Sequence, residues 1–147
     1  MKRLRTLAVV LPLLLVSARA AHAQKEAAPL GRFVQTLARL WADGDADGLI
    51  AYAPPDGLLL LDTGDGSESV TARHAAAALR ALFSSRETVD LRQVRVTVAG
   101  GSPLRGFGEI RWTFRVRDMP AVQTRSIYLG LVWTGRSWRL GEIRFMP

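Results

Sequence analysis

Apolar residues recur at two different periods along this chain, and the change of period divides it into a helical part and a strand part. From Pro29 onward, Leu30, Phe33, Val34, Leu37, Leu40 and Trp41 fall three and four apart, while Arg32, Gln35 and Arg39 take the other side. That spacing predicts one amphipathic helix. Asp43-Gly44 stops it, and Asp45 is a natural N-cap for a short second helix carrying Leu49, Ile50 and Tyr52. Pro54-Pro55 ends that helix, because proline brings no N–H to continue it. Gly57 to Asp62 is a short apolar strand, Thr63-Gly64-Asp65-Gly66 a turn, and a brief return segment leads to Thr71, the expected N-cap of a third helix. The buried face of that helix is expected to hold Ala75, Ala78, Leu79, Leu82 and Phe83.

Beyond the third helix the period falls to two. Val94, Val96 and Val98 alternate with Arg95 and Thr97. Ile110, Trp112, Phe114 and Val116 alternate with Glu109, Arg111, Thr113, Arg115 and Arg117. Ile127, Leu129, Leu131 and Trp133 follow, and then Trp138, Leu140, Ile143 and Phe145. Turns fall at Gly100-Gly101-Ser102-Pro103, Asp118-Met119-Pro120 and Thr134-Gly135-Arg136-Ser137. Consecutive strands joined by short turns predict an antiparallel sheet with one apolar face. Three helices with apolar stripes supply the cover, so the expected class is α+β, with the helices gathered on one face of a twisted antiparallel sheet.

The start of the chain has a different character. Lys2, Arg3 and Arg5 are basic, Leu7 to Val16 is apolar apart from Pro12, and a small polar stretch ends Ala21-His22-Ala23. This is the pattern of a cleavable export signal, and the apolar run of about ten residues is half of what a membrane helix needs. Residues 1–23 are therefore expected to be removed, leaving 24–147 as one domain in the periplasm or outside the cell, with no membrane span after processing. Processing also changes the charge. The chain has twenty basic and thirteen acidic side chains, but Lys2, Arg3, Arg5 and Arg19 lie in the leader, which leaves a net of +3. That charge is uneven, −5 over residues 24–70 and +8 over residues 71–147. Cysteine is absent, which excludes disulfides, thiolate metal sites and cysteine nucleophiles.

The order of elements resembles the nuclear transport factor 2-like superfamily, whose cystatin-like, SnoaL-like fold is a cone-shaped half-barrel. Phe33-Val34-Gln35 through Trp41-Ala42-Asp43-Gly44-Asp45 is similar to the first helix and its stop, and Leu49-Ile50-Ala51-Tyr52-Ala53 to the short helix after it. Gly130-Leu131-Val132-Trp133 and Ser137-Trp138-Arg139-Leu140 resemble the closing hairpin. The likeness extends to small exported bacterial members of unknown function. It implies a site in the hollow between helices and sheet, and it admits both enzymes (steroid isomerases, dehydratases, cyclases) and binding domains. No cofactor is implied.

In the isomerase-like enzymes a carboxylate base follows the first strand, and Asp62 lies within about one residue of that position. The donor position on the first helix is Leu37, and Ile110, Trp112 and Phe114 offer no acid, so the oxyanion partner is missing. The reading we carry for Asp62 is a strand-end residue capping the following turn. His74, the one histidine outside the leader, falls in the first turn of its helix; as a general base it would need an inward position, and a half-exposed surface role fits better. Asp43, Asp45 and Asp47 lack the glycine and distal glutamate of a calcium loop, and no metal site is expected. Arg95, Arg111, Arg115 and Arg117 share one predicted sheet face, where Tyr128 is the aromatic candidate for stacking. A solvated face or a homodimer contact is expected there, and nucleic acid is not. Trp41, Tyr52, Phe83, Trp112, Phe114 and Trp133 are the expected lining of the hollow, either as a mostly apolar pocket or as packed core. The expected function is a non-catalytic exported domain that binds a small apolar ligand or a partner protein. The alternative is a cofactor-free isomerase or dehydratase (a lyase) using Asp62 or His74.

Overall fold

The computed structural model describes residues 29–147; the expected leader lies outside them. Two helices open the domain, α1 (Leu30–Ala42) and α2 (Ala46–Ile50). A short hairpin of β1 (Leu58–Asp62) and β2 (Ser67–Thr71) leads into α3 (Ala72–Ser85). Four longer strands follow: β3 (Arg86–Gly100), β4 (Arg105–Val116), β5 (Val122–Trp133) and β6 (Trp138–Met146). Both predicted caps form, with Asp45 accepting from the Gly48 N–H at 2.8 Å and Thr71 Oγ1 from the His74 N–H at 3.4 Å. Among the described residues no helix is long and apolar enough to cross a membrane.

The six strands make one sheet in the order β2-β1-β6-β5-β4-β3. The sheet is mixed rather than purely antiparallel, because β1 runs parallel to β6 through Leu60–Glu142 and Leu61–Ile143. That contact brings the early hairpin onto the last strand, a long-range pairing that strand alternation alone does not specify. The two inward-facing pairs of β6, Trp138 and Leu140 then Ile143 and Phe145, differ in parity. The register explains it: Leu131 faces Leu140 and Gly130 faces Glu142, so Gly141 is the extra residue of a bulge.

The inward face of β4 runs Gly106, Gly108, Ile110, Trp112 and Phe114. The two glycines let α1 lie close to the sheet, since a Cβ at Gly108 would stand 2.8 Å from both Val34 methyls and one at Gly106 would stand 2.5 Å from Leu30 Cδ2. Toward the other end of the strand, large rings fill the space under α1 and α3. Trp41 and Trp112 are fully buried, with ring centroids 5.5 Å apart, and Phe83 and Phe145 lie 5.2 and 6.1 Å from Trp41. Phe114 stacks on Trp112 at 4.2 Å. The Trp112 indole N–H donates to Thr88 Oγ1 at 2.9 Å.

Three details depart from expectation. On α3 the buried alanines are Ala75 and Ala76, while Ala78 is exposed, so the stripe lies one position round the helix. The valines of β3 are not a core row. Its register shifts between Thr88 and Asp90 and between Gln93 and Arg95, so Val89 and Val94 are the extra residues of bulges and are 51% and 44% exposed. Val98 is exposed as well, and Val96 is half-buried. β3 is an edge strand, where such bulges discourage pairing with another chain. Finally, β3 begins at Arg86, directly after α3, and its first inward positions, Arg86 and Thr88, face Val116 and Phe114.

Candidate functional site

The hollow of the cone is occupied by the protein's own rings. Of the residues expected to line it, Trp41, Phe83 and Trp112 are buried core, and Trp133 packs against Trp138 at 5.5 Å. Their apolar surfaces pack against one another. Tyr52 lies outside, edge-on to Phe33 at 5.1 Å, in a groove beside the closing hairpin. No polar or charged residue is buried among the described residues.

Space opens at the end of the cone where β1, β4 and β6 finish and β3 and β5 begin. A pocket of about 430 Å³ is floored by Phe114 and Phe145 and rimmed by Asp62, Arg86, Gln123 and Arg125. Cross-strand pairing explains the rim: Gln123 lies opposite Phe114 and Arg125 opposite Trp112, so both share the inward face of the rings. Arg86 lies over Phe114, its guanidinium carbon 5.5 Å from the ring centre, and its Nη1 donates to Ser85 Oγ at 3.1 Å. Its Nε is buried without an acceptor among the described residues.

Asp62 stands at the edge of this pocket in the role of a turn cap. One carboxylate oxygen accepts from the Gly64 N–H and the other from the Ser67 hydroxyl, both at 2.9 Å. The Gly64 N–H first, and the Ser67 hydroxyl with it, hold the carboxyl below the usual aspartate range. A general base needs the opposite, a raised affinity for protons and a free lone pair toward substrate. Asp62 also has the parity of Leu58 and Leu60, while Leu59 and Leu61 are buried; the one-residue offset from the expected position therefore places it on the other face of the strand. Leu37, at the donor position, is fully buried.

His74 is exposed on the first turn of α3 and lines a different cavity, between that helix and the β1–β2 hairpin. No interaction joins it to Asp62 among the described residues. The three aspartates of the D-x-D-x-D run diverge. Asp45 caps α2, and Asp47 pairs with Arg80 of α3 at 2.7 Å, which lowers the proton affinity of its carboxylate. Among the described residues no three His, Cys, Asp or Glu side chains gather.

The outer sheet face carries Arg95, Arg111 and Arg115, with Glu109 opposite both Arg95 and Tyr128. Arg117 does not share it, because its Nε donates to the Ser84 carbonyl at the end of α3. Phe107 joins Tyr128 there, ring centroids 5.2 Å apart, and Arg144 lies over Tyr128 at 6.0 Å. The sequence pattern starts β4 too late to include Phe107.

The same fold occurs in solved structures. A ketosteroid isomerase-like protein from Erwinia carotovora atroseptica matches at TM-score 0.60 and 14% identity, over 79% of this chain and 91% of that one. A hypothetical protein of ketosteroid isomerase-like fold from Catenulispora acidiphila, in complex with trimethylamine, matches at 0.61 and 14%, over 78% and 83%. The chain has the nuclear transport factor 2-like cone fold. An LEH-like epoxide hydrolase from M. tuberculosis shares that fold at TM-score 0.55 and 16% identity, over 78% of this chain and 74% of that one. No family model matches the sequence, and no curated protein matches it significantly. At these identities the cone fold fixes where a site can form and leaves its chemistry to the residues present.

Proposed function

We propose that this chain is an exported, non-catalytic domain of the cone fold that binds a small, largely apolar ligand at the open end of the cone rather than in its interior. The observation that carries the reading is the closed ring cluster of Trp41, Phe83, Trp112 and Phe145, which occupies the volume where enzymes of such a fold would enclose a substrate. Apolar floor remains available at the half-buried Phe145, beside the buried Phe114. Export rests on the leader-like pattern of residues 1–23. The outer face, with Phe107 and Tyr128 beside exposed Arg111 and Arg115, suits self-association or a partner protein.

The enzymatic alternative would use Asp62 as a base on a carbon acid, and the ketosteroid isomerase-like and epoxide hydrolase neighbours keep it worth testing. Its two oxygens are already engaged, and Leu37 supplies no oxyanion donor. Two measurements on the exported protein separate the readings. Titration with the neutral fluorophore N-phenyl-1-naphthylamine should give saturable binding that Phe114→Ala weakens. Incubation with a β,γ-unsaturated ketone should give no conjugated enone above the rate in buffer. Turnover that is lost in Asp62→Asn would replace binding with catalysis.

A further inference from the structure

We propose that the pocket at the open end of the cone selects apolar ligands that carry a carboxylate, with Arg86 and Arg125 receiving the charged group. The inference rests on the binding reading above and deepens it. Arg86 and Arg125 occupy inward positions, where the neighbouring residues of the same parity (Thr88, Ile127, Leu129) follow the pattern of a covered face. Arg86 is half-buried there, its stem covered, while Arg125 is exposed at the rim of the same pocket.

The two guanidinium groups have no carboxylate partner among the described residues. Asp62, the acidic side chain on the rim, has both oxygens committed to its own turn. Arg86 is held in place by the Phe114 ring beneath it and the Ser85 hydroxyl at Nη1. The opposite edge of its planar group, with Nε, has no acceptor. Guanidinium matches a carboxylate with two parallel hydrogen bonds, and such charge-assisted pairs are about twice as strong as neutral ones. Phe114 and Phe145 then lie where the apolar body of the ligand would rest, and about 430 Å³ suits a compact two-ring molecule.

The test compares two probes of the same shape and opposite character, 1-naphthoate and its neutral amide, 1-naphthamide, by calorimetric titration at low salt. The naphthoate should bind at least about tenfold more tightly. Arg125→Gln, at an exposed side chain whose loss leaves the core intact, should remove most of that preference, and Arg86→Gln should do the same. Arg32→Gln, in the separate groove near Tyr52, should leave it unchanged. The Arg86 Nε resonance in ¹⁵N-labelled protein should move on adding naphthoate. Equal affinity for the two probes would overturn the carboxylate selection while leaving binding at the cone mouth intact. Absence of binding by either probe would overturn both, and a preference abolished by Arg32→Gln would place the site elsewhere and overturn this one.

Discussion

Replacing Trp112 by alanine tests the packed interior most severely. The side chain is fully buried, stacked on Phe114 at 4.2 Å, edge-on to Trp41 at 5.5 Å, and hydrogen-bonded to Thr88. A buried tryptophan removes up to about 250 Å² from water, worth roughly 6 kcal/mol at about 25 cal/mol per Å² as an upper figure. The alanine methyl and partial collapse of the neighbours return some of this, so the expected loss is about 3–5 kcal/mol. Domains of this size have about 5–15 kcal/mol in total, so the variant should fold only marginally. Arg115→Ala, three positions along β4 on the exposed face, should cost under about 1 kcal/mol. Urea melts followed by far-UV circular dichroism, with the slopes compared, measure both. A Trp112→Ala loss near 1 kcal/mol would mean that the indole lines open space, and the filled interior would be wrong. A larger loss for Arg115→Ala than for Trp112→Ala would invert the faces of the sheet.

Four smaller tests follow from the same geometry. Gly108→Ala forces a methyl to within 2.8 Å of the Val34 side chain and should destabilise by about 1–3 kcal/mol in the same melts. Thr88→Val strands the Trp112 indole N–H in the core and should cost about 1–3 kcal/mol. Because folding lowers the Asp62 proton affinity, its carboxylate stabilises the fold above the unfolded aspartate pKa, and that contribution disappears as pH falls through the lowered folded value. Carbon-detected NMR should find the Asp62 midpoint below the ordinary aspartate value, and Ser67→Ala should raise it; a midpoint above the ordinary value would contradict the turn-cap role. Intact-mass measurement on protein recovered from the medium or periplasm should give a chain starting at Gln24, whereas retention of Met1 would refute cleavage of the leader.

The helices as elements, their caps and the inward rows of β4 from Ile110 and of β5 from Ile127 were legible because each follows a single local period, 3.6 or 2. The harder features all depend on contacts distant in sequence. A bulge inverts parity without a local signal, which is why Val94 reads as core and stands in solvent, and why Gly141 goes unnoticed until Leu131 is paired with Leu140. The β1–β6 pairing joins strands some eighty residues apart. The site follows the same division. Asp62 is legible as the residue ending a strand, but which face it takes depends on one residue of register. Arg125 did leave a signal, as a charge in phase with the apolar row Ile127, Leu129 and Leu131 that follows it. Arg86 left none, since nothing local shows that β3 starts directly at the end of α3.

A crystal structure of the protein purified from its own host, with any co-purified density identified, tests the central claim most directly. The account predicts Trp41, Phe83, Trp112 and Phe145 in mutual contact, with any bound molecule confined to the open end, against Phe114 and Phe145 and within reach of Arg86 and Arg125. A molecule enclosed between Trp41 and Trp112, with the rings parted around it and Asp62 released from Gly64 and Ser67 to face it, would contradict that account.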